Sequence, residues 1–149
     1  MRISEILNTD RIICNAEISS KKSALEELSK LIAGSSSSLS YTEIFDSLNA
    51  RERLGSTGLG KGVAIPHARY QGISKPTAAI LQLQTGINYD AIDQQPVDVI
   101  FGLVVPEDAT EEHLQILACI AKICSDEFLL NQLRISTSPE ELFRLLKDK

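Results

Sequence analysis

Two histidines, His67 and His113, are the residues of this sequence best suited to chemistry. The first ends a short apolar run and follows Pro66 within the stretch "GLGKGVAIPHARY", residues 58–70. The run predicts a buried strand, and proline ends strand pairing because it has no N–H and a fixed φ. We therefore expect His67 to lie at a rigid strand end and to face outward from the sheet. An imidazole there can accept a group or a proton, although a packed or solvated histidine would give the same pattern.

Three glycines precede this strand, at Gly58, Gly60 and Gly62. Glycine adopts backbone conformations that other residues resist, so the loop can fold tightly and bring its N–H groups close to a ligand. Their spacing matches neither the Walker phosphate-binding loop nor the G-x-G-x-x-G dinucleotide motif. A ligand-binding loop and a flexible lead into the strand are therefore both open interpretations.

The second histidine lies near the predicted start of a helix, in the stretch "ATEEHLQIL". With Thr110 as the N-cap, His113 is the third helical residue and shares one side of the helical wheel with Leu117 and Ile120. It should therefore lean toward the buried side of the helix. The positive end of the helix dipole favours neutral imidazole and also attracts an anion. A second imidazole in this position would suit a phosphoryl group carried on His67.

Apolar periodicity predicts five helices that must position these residues. Ser20 is the expected N-cap of the first helix and Gly34 its C-terminal stop, while Gly55 stops the second. Ser138 and Glu141 form a predicted capping box in the last. The predicted helices are "SKKSALEELSKLIAG" (20–34), "SYTEIFDSLNARERLG" (40–55) and the segments near 110–124, 126–134 and 138–148.

Strand patterns occupy the middle of the chain. The second predicted strand alternates isoleucine and glutamine with leucine, as a strand with two different faces should, and the third is apolar almost throughout, which favours a central strand. Helices at both ends of a strand-rich middle predict an α/β fold. We expect a single-domain sandwich over residues 1–149, with a mixed β-sheet flanked by helices on both sides. The predicted strands are "GVAIP" (62–66), "TAAILQLQ" (77–84) and "VDVIFGLVVP" (97–106).

Composition favours a soluble, cytoplasmic protein. Of the 149 residues, 43% are hydrophobic and 23% are charged, and no apolar run approaches the ~18 to 20 residues of a membrane helix, so we expect no membrane insertion. The stretch "MRISEILNTDRII" lacks the apolar core and cleavage site of an export signal. A net charge of -5 without a block of Lys or Arg argues against direct nucleic-acid binding.

The three cysteines, Cys14, Cys119 and Cys124, are odd in number and too few for a disulfide framework, which suits a reducing compartment. Cys119 and Cys124 would lie roughly 140° apart around one helix, so they could not bind one metal ion together. No His-Glu-x-x-His motif completes a metal site. We expect no metal and no cofactor.

Two blocks of sequence resemble a known family, the enzyme IIA components of the bacterial phosphoenolpyruvate-dependent phosphotransferase system of the mannitol, fructose and nitrogen-regulatory type. The blocks are "ARERLGSTGLGKGVAIPHARY" (50–70) and "DVIFGLVVPEDATEEHLQILACIA" (98–121). The resemblance extends to the order of helices and strands along almost the whole chain, and it implies the mannitol- and fructose-type IIA fold. It also implies that His67, in the Ile-Pro-His motif, accepts a phosphoryl group from the phosphohistidine of a small HPr-type carrier protein.

The same resemblance implies supporting roles for two further residues. His113, in the His-Leu-x-x-Leu pattern, and Arg51, at the start of Arg-Glu-x-Leu, would hold the phosphoryl group. Phosphoryl transfer depends on in-line positioning and on neutralising the charge of the phosphoryl oxygens. Planar guanidinium donors and one imidazole N–H can neutralise that charge. A solvated helix end is the alternative for Arg51, and Arg53 and Arg69 are nearby substitutes.

The subtype is less sharply indicated. Ala68 and Arg69 after the Pro-His pair resemble fructose-type members, whereas "LGSTGLG" resembles the nitrogen-regulatory type. We expect a nitrogen-regulatory phosphocarrier whose targets are of the kinase or potassium-transport type. The alternative is a sugar-specific fructose or mannitol IIA subunit that passes phosphate to a IIB domain. A metal-dependent hydrolase and an interaction module without chemistry are the competing classes outside the family.

Overall fold

The structure, a computed structural model describing residues 2–149, is built around one mixed sheet of six strands. Its two central strands, β5 and β6, are antiparallel, and β1 lies parallel to β5. On the other side of β6, β3 and β4 both run parallel to it, and β2 pairs antiparallel with β3. The strands are β1 (Ile12–Ala16), β2 (Gly58–Gly60), β3 (Val63–Ala64), β4 (His67–Arg69), β5 (Thr77–Ile87) and β6 (Val97–Val105).

Helices cover both faces of this sheet, as the sequence predicts. One face packs against α1 and α2, and the other packs against α3, α4 and α5. The alternation along β5 follows this division, because Ile80 faces the second group while Leu81 and Leu83 face the first. Among residues 2–149, no helix has both the length and the apolar character that crossing a membrane requires. The helices are α1 (Lys21–Ala33), α2 (Tyr41–Arg53), α3 (Thr110–Cys124), α4 (Glu127–Ile135) and α5 (Pro139–Leu146).

The helix ends largely follow their local sequence signals, with one correction at α3. Ser20 caps α1 by accepting a hydrogen bond from the Ser23 N–H, and α1 ends just before Gly34. At α3, however, Ala109 is the N-cap and Thr110 is the first helical residue, with no side-chain cap. His113 is therefore one position further into the helix than predicted, and its N–H bonds to the Ala109 carbonyl at 2.9 Å.

Only half of the predicted capping box forms at α5. The Ser138 hydroxyl accepts from the Glu141 N–H at 3.1 Å. The Glu141 carboxylate does not return to the Ser138 N–H; it accepts from both the N–H and the hydroxyl of Thr137. Two donors on Thr137 replace the one that the capping box would use.

Pro66 interrupts its strand, whereas the sequence predicts that it ends strand pairing. β3 pairs with β6 as far as Ala64, and pairing resumes at His67, opposite Leu103. Between these points the Pro66 carbonyl accepts from the Leu103 N–H at 3.0 Å. Proline lacks only the donor, so its carbonyl keeps the ladder to β6 intact. His67 is therefore the first residue of β4, and its own backbone pairs with β6.

The glycine segment forms a tight hairpin away from His67. β2 and β3 are joined by Lys61 and Gly62, which both have positive φ angles, 59° and 80°. The Gly62 carbonyl accepts from the Asp98 N–H at the start of β6, whereas His67 pairs further along the same strand. The turn thus lies at the end of β3 opposite to His67. The structure supports a tight turn ahead of the strand and does not bring these glycine N–H groups to the histidine.

Candidate functional site

The ring of His67 is held by the backbone two residues earlier. Its Nδ1 lies 2.7 Å from the Ile65 carbonyl oxygen. A carbonyl can only accept, so Nδ1 donates its proton and Nε2 keeps a free lone pair. The side chain is half-buried, and burial lowers the pKa of His67, although the bond to Ile65 opposes that shift. His67 is therefore neutral at neutral pH, with Nε2 as the nucleophilic atom.

His113 lies beside His67 with the opposite arrangement of its ring proton. The two ring centroids are 5.4 Å apart and the ring planes meet at 67°. Arg69 Nε donates to His113 Nδ1 at 3.4 Å, so the ring proton of His113 is on Nε2. His113 is 7% exposed, which confirms the predicted lean toward the buried side, and Nε2 has no hydrogen-bond partner among the described residues. Burial lowers the pKa of His113 to about 4, with the charges of His67 and Arg69 acting in the same direction.

Two of the three candidate arginines accompany the histidines. Arg51, in the last turn of α2, donates from Nη1 to the Gly55 carbonyl at 3.0 Å, and its charge contributes to lowering the pKa of His67. Arg69 reaches the site through its bond to His113. Arg53 is exposed and is not among the residues around the histidines. Arg69 therefore lies at the site together with Arg51. The sequence indicates Arg69 only as a substitute for Arg51.

These side chains line an open surface cleft of about 590 Å³, which we call the histidine cleft. Leu54 and Leu114 form an apolar rim and are 84% and 62% exposed. The residues that line the cleft include two imidazoles and two arginines, a set that suits a transferring phosphoryl group. The residues of the cleft are Ser47, Ala50, Arg51, Leu54, His67, Ala68, Arg69, His113, Leu114 and Leu117.

Metal-binding side chains do not cluster in the part of the chain that the structure describes. Within residues 2–149 there is no group of three or more His, Cys, Asp or Glu side chains arranged to hold a metal ion. Cys124 is buried, and burial raises the pKa of its thiol to about 12, which keeps the thiol protonated.

One residue near the cleft, Glu52, is absent from the sequence-based candidates. It is 7% exposed and contributes to the electrostatics of His67 by raising its pKa. A signal for it exists in the helical spacing, because Ile44 and Leu48 precede it at intervals of four on the buried face of α2. A carboxylate on the apolar face of a helix needs buried hydrogen-bond partners, so such a residue is a candidate for a role at a functional site.

Comparison with known proteins identifies the family. The sequence matches the family described as "Phosphoenolpyruvate-dependent sugar phosphotransferase system, EIIA 2" over residues 5–149. The chain belongs to this family. A nitrogen regulatory protein of Pseudomonas aeruginosa is 40% identical over 148 residues, covering 99% of this chain and 96% of that protein.

Solved structures agree with the assignment to EIIA 2. The crystal structure of the nitrogen regulatory protein IIA-Ntr from Neisseria meningitidis has a TM-score of 0.91 at 43% identity, covering 97% of this chain and 98% of that one. The mannitol IIA enzyme of Escherichia coli, solved in complex with phosphorylated mannitol IIB, has a TM-score of 0.81 at 18% identity, covering 95% and 97%. The second likeness shows the fold alone. Together they confirm the predicted mannitol- and fructose-type IIA fold and the resemblance to nitrogen-regulatory members.

The hydrogen bonds of the cleft predict one ring tautomer for each histidine. His67 should carry its proton on Nδ1 and His113 on Nε2, which long-range ¹H–¹⁵N correlation spectra distinguish directly. Arg69→Met removes the donor to His113 Nδ1, so His113 should then populate both tautomers. Arg53→Met, an exposed arginine outside the cleft, is the matched control and should change neither ring. A wild-type His113 with its proton on Nδ1 would contradict the geometry.

The lowered pKa of His113 predicts acid sensitivity of the fold. Its pKa is about 4 when folded, against ~6.5 in an unfolded chain, so the unfolded chain binds more protons between these values. The free energy of unfolding should therefore fall as the pH drops from ~6.5 to ~4, by up to about 3 kcal/mol from this residue. Chemical denaturation over this range measures the effect. His113→Gln should show a shallower pH dependence than wild type, and identical curves would refute the assignment.

Proposed function

We propose that this EIIA 2 protein is a phosphocarrier whose acceptor atom is Nε2 of His67, and that the phosphoryl donor is an HPr-type carrier protein. The proposal is carried by one observation: the ring of His67, whose Nδ1 is bonded to Ile65 and whose Nε2 keeps its lone pair, packs against the ring of His113, whose Nε2–H has no partner among the described residues. Membership of the EIIA 2 family supports the phosphocarrier role.

The transfer would exchange one phosphorus–nitrogen bond for another. The bond between phosphorus and the carrier's histidine breaks as the bond to His67 Nε2 forms roughly in line, and the donor nitrogen keeps the electron pair. Positive charge that develops on the His67 ring is shared by Nδ1–H with the Ile65 carbonyl. In this proposal Arg51 and the Nε2–H of His113 would donate to the phosphoryl oxygens.

The acceptor is tested by phosphorylation in vitro. Incubation with phosphoenolpyruvate, enzyme I and the HPr-type carrier should add one acid-labile phosphoryl group, detected by intact-mass spectrometry, and His67→Ala should take none. In the same assay Arg51→Ala and His113→Gln should fold normally, by circular dichroism, and slow labelling by roughly 10²-fold to 10³-fold each, as expected for one lost electrostatic donor. Labelling that persists in His67→Ala would overturn the proposal, and wild-type rates in both other variants would remove their supporting roles.

We further propose that phosphorylation of His67 regulates binding to target proteins, of the kinase or potassium-transport type. Support comes from the relative named a nitrogen regulatory protein at 40% identity. Phosphorylation would place roughly two negative charges between the exposed Leu54 and Leu114. A partner docked over this apolar rim would then meet repulsion and a desolvation penalty unless it brought its own cations.

The alternative is a sugar-specific IIA subunit that delivers phosphate to a IIB domain. It is favoured by the solved complex of mannitol IIA with phosphorylated mannitol IIB, whose IIA shares this fold. The two functions use the same acceptor and differ in the partner that binds the histidine cleft.

Capture of partners separates the two functions. Wild type, His67→Ala as a lasting unphosphorylated form and His67→Asp as a charged mimic are used as baits in a lysate, and captured proteins are identified by mass spectrometry. Regulation predicts targets retained by His67→Ala and lost with His67→Asp, because the added charge opposes docking. Leu54→Asp should lose the same targets, whereas Ile92→Asp, an equally exposed site outside the cleft, should keep them. Equal retention by all baits, with a IIB domain as the main partner, would favour sugar transport.

A further inference from the structure

Glu52 is a buried carboxylate next to Arg51, and its partners all come from outside α2. Its Oε2 accepts from Lys21 Nζ at 2.8 Å and from the Thr57 N–H at 3.3 Å. Its Oε1 accepts from the Thr57 hydroxyl and from the Tyr89 hydroxyl at 3.2 Å. Each oxygen therefore accepts from two donors, of which Thr57 and Tyr89 are buried and Lys21 is half-buried. We call Glu52, Lys21, Thr57 and Tyr89 the Glu52 network.

Packing alone does not account for this network. The Glu52 side chain is 3% exposed, and a buried carboxylate loses hydration that an apolar residue would not need. Ile44 and Leu48 precede it on the same buried face, where leucine would continue the core. Tyr89 is fully buried, and burial raises the pKa of its hydroxyl, which keeps that group a hydrogen-bond donor. Lys21 Nζ also lies 4.6 Å from the centre of the Tyr89 ring.

Backbone hydrogen bonds connect the network to His67. The Thr57 carbonyl accepts from the Ile65 N–H at 3.0 Å. The Ile65 carbonyl in turn accepts from His67 Nδ1 at 2.7 Å. Thr57, whose N–H and hydroxyl both bind Glu52, therefore holds the residue that sets the His67 ring.

The same turn also holds Arg51. Arg51 Nη1 donates to the Gly55 carbonyl at 3.0 Å, and the Gly55 N–H donates to the Glu52 carbonyl at 3.1 Å. Gly55 has a φ of 156°, and glycine is conformationally permissive, so the turn at residues 55–57 needs support from its neighbours to keep one conformation. Glu52 supplies that support at Thr57, the far end of the turn.

We propose that Glu52 is a positioning residue, which anchors the turn at residues 55–57 and thereby orients the ring of His67 and the side chain of Arg51. Its effect on phosphoryl transfer rests on the proposed function, whereas its effect on the His67 ring does not. Glu52 touches neither the acceptor atom nor the phosphoryl group in this scheme; it acts through Thr57 and Ile65.

The test uses Glu52→Gln in the full chain. A glutamine side chain has one acceptor oxygen and no charge, so it cannot accept from Lys21 and the Thr57 N–H on one side and from both hydroxyls on the other, and the anchor of the turn should weaken. We expect mixed tautomers for His67 in ¹H–¹⁵N spectra and phosphoryl transfer from the HPr-type carrier slowed by ~10²-fold, the scale of a small misplacement. The pKa of His67 should also fall, because the raising charge of Glu52 is gone. The other charged or titratable groups around the ring, Arg51, Arg69 and His113, are unchanged.

A double variant separates positioning from stability. Glu52→Gln leaves Lys21 without its carboxylate, and adding Lys21→Met removes that stranded cation. We expect the double variant to recover thermal stability but not the single His67 tautomer or the transfer rate. Recovery of all three together would mean that Glu52 is merely structural and would overturn the proposal.

Two further variants keep the result interpretable. Tyr89→Phe keeps the buried ring and removes one donor, so it should fold even where Glu52→Gln does not, and should slow transfer by about 10-fold. Gln82→Met is the matched control: it removes a buried polar group that donates to the Leu133 and Ser136 carbonyls, remote from the cleft. It should lower stability without moving the His67 tautomer or rate. Wild-type tautomer and rate in Tyr89→Phe, or equal slowing in Gln82→Met, would overturn the proposal.

If the wild-type chain takes no phosphoryl group at all, the proposed function fails. The tautomer and pKa of His67 in the unphosphorylated chain would still decide the role of Glu52.

Discussion

The hydrogen bond from His67 Nδ1 to the Ile65 carbonyl determines the chemistry of the cleft, because it decides which ring nitrogen is left to react. That bond depends on the interruption at Pro66. The Pro66 carbonyl pairs with β6, and the ladder continues into β4, while the Ile65 carbonyl turns to the histidine ring. The backbone before and after His67 therefore sets its ring at the edge of the cleft, beside the ring of His113.

The electrostatics of the cleft differ from those of the whole protein. The chain carries a net charge of -5, yet the residues beside His67 include Arg51 and Arg69. Their positive charges, added to burial, lower the pKa values of His67 and His113 and keep both rings neutral. A neutral ring can attack phosphorus, while the fixed guanidinium charges remain to meet the phosphoryl oxygens. In the proposed transfer Arg51 thus serves both the acceptor and the incoming group, while Arg69 acts on His113.

Local features of the fold could be predicted from the sequence, and features that depend on distant partners could not. The ends of α1 follow from Ser20 and Gly34, since caps are read within one turn of helix. The continued pairing at Pro66 depends on Leu103 of β6, which lies 37 residues further along the chain. Glu52 is predicted poorly for the same reason: Lys21 and Tyr89 lie far from it along the chain. The helical position of Glu52 hints at burial but not at what it binds.

The donors of the cleft are shared between the protein and the proposed ligand, and this suits a carrier. Arg51 is bonded to the Gly55 carbonyl and Arg69 to His113, so each guanidinium already has a protein partner before any phosphoryl group arrives. Contacts to phosphoryl oxygens would be added to these bonds or exchanged for them, and would be released again on transfer. The Nε2–H of His113 is buried and has no partner within the described residues. A site that bound the phosphorylated state too tightly would hold the group back, because transfer onward depends on the difference between that state and the transition state.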